Sequence, residues 1–113
     1  MPFEQWEHSG RRFAVQFMYA VPDDAWYVEL SEAVPAPVEW ADIPGAVTHL
    51  PGPAFMVAVV PDEDPRREPT VHFPSISEQV VPFEVMRWFM EKVAEEVERC
   101  RAALREGNPQ ANG

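Results

Sequence analysis

Hydrophobic positions along this chain read as short strands, interrupted by one proline-rich stretch, until Phe83, from which they recur at steps of three and four. Residues 3–8 alternate loosely and end at Ser9-Gly10, a turn dipeptide. Residues 12–20 place Phe13, Val15, Phe17 and Tyr19 on one face and Arg12, Ala14, Gln16 and Met18 on the other, as in a strand with one side on a core. Val21-Pro22-Asp23-Asp24 fits a type I turn. The return strand, 25–32, sets Trp26, Val28 and Leu30 against Tyr27, Glu29 and Ser31, so a hairpin is expected.

From 33 to 53 the alternation lapses. Pro35, Pro37, Pro44, Pro51 and Pro53 argue against a long helix and against a continuous ladder. The stretch reads as a long connection with one helical turn over 38–43, Trp40 and Ile43 packing inward and Gly45 ending it. Loops of this length in small domains are uncommon and often functional. Trp40, Asp42 and His49 are therefore candidate pocket or lid residues, with the alternative that Trp40 simply plugs the edge of the core. Residues 54–60, apolar on both faces and rich in valine, suit a central strand covered on each side. The acidic, proline-bounded stretch 61–69 is a solvated loop, and 70–76 is a shorter strand that Pro74 places at an edge.

The last quarter is one helix, with Pro82 suited to its first position and Gly107 followed by Pro109 as its stop. Phe83, Met86, Met90, Val93, Val97, Cys100 and Leu104 form a heptad seam, and Val85, Trp88 and Phe89 add apolar surface around its first turns. That excess predicts a second surface against the helix, with Val85, Trp88, Phe89, Val97, Cys100 and Leu104 as candidate interface residues of a homodimer. The alternative is a lone helix on its own sheet with an exposed C-terminal extension. The expected fold is α+β: a mostly antiparallel sheet of about five strands in a meander, with one long C-terminal helix packed on it. It forms a single domain over 1–107, followed by a frayed tail at 108–113.

Composition narrows the function. Hydrophobic residues at 46% and charged residues at 25% are the balance of a folded domain, and 113 residues suffice for one such domain. The net charge of −10 repels phosphate backbones and anionic lipid, so nucleic-acid and membrane-surface binding are not expected, while a basic protein partner is compatible. Glu4 and Glu7 stand where a secretory signal would be basic, and a lone cysteine forms no internal disulfide, so a cytoplasmic protein is expected. Thirteen prolines and arginine in place of lysine fit a GC-rich bacterial genome.

Catalytic chemistry finds little to stand on. His8, His49 and His72 are far apart in sequence with no ligand-spaced partner, no metal or cofactor is expected, and Cys100 sits among seam residues as a small apolar group. Ser9, Ser31, Ser75 and Ser77 lie in no nucleophile-elbow pattern, and the glycines form no phosphate-cradling loop. Trp6, Trp26, Trp40, Trp88 and seven phenylalanines exceed what so small a core needs, which points to an interface or pocket. The order of strands followed by one helix opening on Val-Pro-Phe-Glu is similar to that of immunity proteins and secretion chaperones, an architectural likeness that transfers no site. The expected function is a non-catalytic, acidic protein-binding module, homodimeric, neutralising or chaperoning a basic partner. The second expectation is a small-molecule binder or small enzyme with an aromatic-lined pocket between sheet and helix.

Overall fold

The computed structural model describes residues 3–74 and 79–107. The end of the expected last strand and the tail at 108–113 lie outside the described residues. The sheet has five strands, β1 (Phe3–His8), β2 (Arg11–Ala20), β3 (Ala25–Pro35), β4 (His49–Pro61) and β5 (Thr70–His72), ordered as in the chain. Every neighbouring pair is antiparallel, and one helix, α1 (Phe83–Gly107), packs on the sheet, so the α+β meander is what the structure shows.

Ser9 (φ 51°) and Gly10 (φ 81°) both take left-handed backbone between β1 and β2, the two-residue turn whose twist matches antiparallel strands. A 3-10 turn at Val21–Asp23 followed by left-handed Asp24 joins β2 to β3, in place of a simple type I turn.

The third connection departs most from expectation. β3 and β4 continue their ladder outward through Ala33 with Pro51 and Pro35 with His49, so the long loop shrinks to residues 36–48. Prolines survive there because the arm is two-stranded: β2 pairs only as far as Glu32 and β5 only with Val57–Val59, so each arm strand has a free edge for a residue that cannot donate. Two irregularities shape the arm. Leu30 faces Met56 but Ser31 faces Ala54, so Phe55 is an extra residue, and both Phe55 and Met56 reach the core.

Partners in register share a face. The first face carries Trp6, Phe13, Val15, Phe17, Trp26, Val28, Leu30, Met56, Ala58 and Val60, and α1 lies against it. Val85, Phe89, Val93 and Cys100 are the buried apolar side chains of α1, with Glu96 between them. The heptad seam is therefore not the docked face. Phe83 is 73% exposed and Met90 44%, Met86, Val97 and Leu104 are half-buried, and only Val93 and Cys100 of that set are buried. A helix on a flat sheet buries the centre of its widest apolar arc, here Val85, Phe89 and Val93, flanked by Met86 and Val97 on one side and Trp88 on the other. The seam marks one edge of that arc. Pro82 accepts the Met86 amide at 3.0 Å and so stands just before the helix rather than in its first position.

Two sets of charged and aromatic contacts, around Lys92 and around Arg99, tie the helix to the sheet. Lys92 reaches Glu4 of β1 at 2.9 Å, and Trp88 meets Trp6 edge-on with centroids 5.5 Å apart. Toward the other end the Arg99 guanidinium lies 5.0 Å over Trp26 while pairing with the buried Glu96, and Tyr19 closes edge-on against Trp26. Among the described residues no helix is long and apolar enough to cross a membrane.

Candidate functional site

The residues singled out by sequence scatter in space. Val85, Phe89 and Cys100, candidates for an outer interface, are core residues of the chain itself, and burial pushes the Cys100 thiol up, which keeps it protonated. Trp88 is half-buried against Trp6, and Val97 and Leu104 form part of a cavity wall. Trp40 ends a 3-10 turn, Val38–Trp40, on the arm; it and Ile43 are exposed instead of packing inward, so Trp40 is not a plug of the core. Asp42 is exposed and His49 half-buried, its Nδ1 3.1 Å from Thr48 Oγ1. His8 stands on edge strand β1 beside Trp6, and His72 on the opposite edge strand β5 beside Thr70. Among the described residues no three His, Cys, Asp or Glu side chains cluster as metal ligands do.

Two features offer chemistry. The first is the second face of the sheet, on which no helix lies among the described residues. By register it carries Gln16, Met18, Tyr27, Glu29, Val57 and Val59, each half-buried by its neighbours' flanks. At one end the arm curls over this face, the Gln5 side-chain amide donating to the His49 carbonyl at 3.4 Å, and Ala14 and Ser31 beneath are buried. At the other end Tyr27 donates to Asp23. Between them Glu29 sits opposite Gln16 and Val57 with no hydrogen bond or ion pair among the described residues. Its carboxyl is held above the usual range because its neighbours exclude water. The sequence carried one sign of this surface: β4 is apolar on both sides, yet the chain has a single helix to cover it.

The second feature is a cavity of about 380 Å³ between the loop after β4 and the last turns of α1. Val60, Pro61, Val97 and Leu104 wall it, and Glu63, Asp64, Arg67, Arg101 and Arg105 bring charge to it. No aromatic side chain lines it, and Trp40 is not part of it, so it differs from the aromatic pocket expected between sheet and helix. Its residues come from two segments, 60–69 and 97–105, which no spacing pattern joins. Asp64 is engaged locally, accepting the Arg66 amide at 2.9 Å, and Arg67 donates to the Asp23 carbonyl at 2.6 Å.

In comparisons with known proteins the chain matches no family model, no curated protein and no solved structure.

Proposed function

We propose that this chain is a non-catalytic protein-binding module of the bacterial cytoplasm, and that the second face of its sheet is the surface that binds. The observation that carries the reading is that face itself: among the described residues, Met18, Tyr27, Val57 and Val59 surround a Glu29 with no hydrogen bond or ion pair, and no helix lies on them. Apolar surface of this kind is normally covered in use. An unpartnered carboxylate at its centre selects a partner that brings a cation within an apolar contact, consistent with the net charge of −10. The same carboxylate disfavours packing this face on its own copy, where two Glu29 side chains would meet. Self-association would then use the strip of α1 formed by Phe83 and Met90, both exposed.

Affinity purification of the full chain from cells that produce it, with the mass of the eluted species read by light scattering, tests the reading. A complex heavier than the 12.9 kDa chain is expected. Val57→Lys should release a basic partner, Met90→Glu should undo a dimer, and exposed Glu91→Gln should do neither. A wild-type chain eluting as a bare monomer at high micromolar concentration overturns both parts.

A further inference from the structure

We propose that the cavity under the 62–69 loop binds a small organic monoanion, a carboxylate on an apolar body, through Arg101 and Arg67. The argument starts from how this chain uses its cations. Arg11, Arg12, Arg66, Arg87, Arg99, Arg105 and Lys92 each hold a carboxylate. That is the expected fate of a basic side chain where acids outnumber bases 19 to 9. Among the described residues only Arg67 and Arg101 have no carboxylate partner, and both line this cavity. Arg101 makes no polar contact at all there, and Arg67 spends one donor on the Asp23 carbonyl, leaving the rest of its guanidinium fork open.

The walls define the remainder of the ligand. Val60, Pro61, Val97, Leu104 and the loop prolines bring apolar surface to the same cavity, and 380 Å³ is within the range of small-molecule sites. A planar guanidinium binds a carboxylate through two parallel hydrogen bonds, whereas the apolar walls take an aryl or short alkyl group. Glu63 and Asp64 at the same cavity keep its charge low, which disfavours phosphodianions and nucleic acid and leaves a monoanion. The acidity of the whole chain does not forbid this, since its field is screened within about 8 Å at physiological salt while a bound carboxylate touches the arginines directly.

The test is a two-dimensional amide NMR titration of the full chain with phenylacetate as probe. Saturable shifts confined to residues 61–69 and 97–105 are expected, with a Kd on the order of 1 mM for so small a ligand. The uncharged isostere phenylacetamide should bind at least about tenfold more weakly to the wild-type protein, a comparison that needs no variant to fold. Arg101→Gln, whose side chain holds nothing in place, should keep the dispersed spectrum and lose a similar factor. Absence of saturable shifts, equal affinity for phenylacetamide, unchanged binding by Arg101→Gln, or shifts centred elsewhere would each overturn the assignment. Tighter binding of phenyl phosphate would overturn the choice of a monoanion.

Discussion

Gly52 lies against the main-chain carbonyl of Glu32 so closely that a Cβ added to it would stand 2.5 Å from that oxygen and 3.2 Å from Val34 Cγ1. The contact sits at the second irregularity of the β3–β4 arm, between the Ser31–Ala54 and Ala33–Pro51 pairs. The obstructing atom is backbone and cannot swing aside. Gly52→Ala should therefore lower stability by about 1–3 kcal/mol, as overpacking does, and loosen the arm. Urea unfolding measures the first effect, and faster hydrogen exchange at His49 and Leu50 reports the second.

Phe83 and Phe89 separate the two readings of α1. Both belong to apolar patterns in the sequence, but Phe89 is fully buried and Phe83 is 73% exposed. Phe89→Ala should cost about 3–5 kcal/mol as a core truncation. Phe83→Ala should stay within about 0.5 kcal/mol in the monomer. Comparable losses from the two would mean that the helix is rotated from the placement described.

The contrast shows what the sequence could and could not specify. Alternation located β1 to β3, because a strand with one buried face writes its period directly into the residues, and an unbroken valine-rich apolar run located the inner part of β4. The helix was equally plain in extent. Its orientation was not, since Phe83, Met86 and Met90 satisfy a heptad while Val85, Phe89 and Val93 satisfy the broader arc, and the buried Glu96 concealed the true stripe. Prolines hid the outer arm because their usual meaning assumes neighbours on both sides. The cavity was illegible for a different reason: Arg67 and Arg101 are brought together only by the way the loop folds back on α1.

Trp40 is expected to matter little for folding. It stands on the arm, 36% exposed, and lies outside the packed core around Phe13 and Phe89. Trp40→Ala should reduce stability by about 1 kcal/mol or less. A loss of 3 kcal/mol or more in chemical denaturation, roughly what a buried tryptophan would give, would return Trp40 to the core.

Glu29 and Glu32, neighbours on β3 facing opposite sides, should respond to pH in opposite senses. Arg11, hydrogen-bonded to Glu32 at 2.9 Å, holds that carboxyl below its ordinary range. Its contribution is present at neutral pH and lost as pH falls through the lowered value. Because the pair is substantially exposed, Glu32→Gln should cost only about 0.2–1 kcal/mol at pH 7. Glu29 is raised instead, by exclusion of water, so the folded state binds its proton more tightly than the unfolded chain does. The ionised form then opposes folding at pH 7, and that penalty disappears as pH falls below the unfolded value of about 4.3. Glu29→Gln should stabilise the protein at pH 7 and make no difference near pH 4, while weakening attachment to a cationic partner. Urea midpoints at the two pH values give the comparison directly. A Glu29→Gln protein less stable than wild type at pH 7 would mean that the carboxylate already has a partner within the chain, and the sheet face would lose the charge on which partner selection depends.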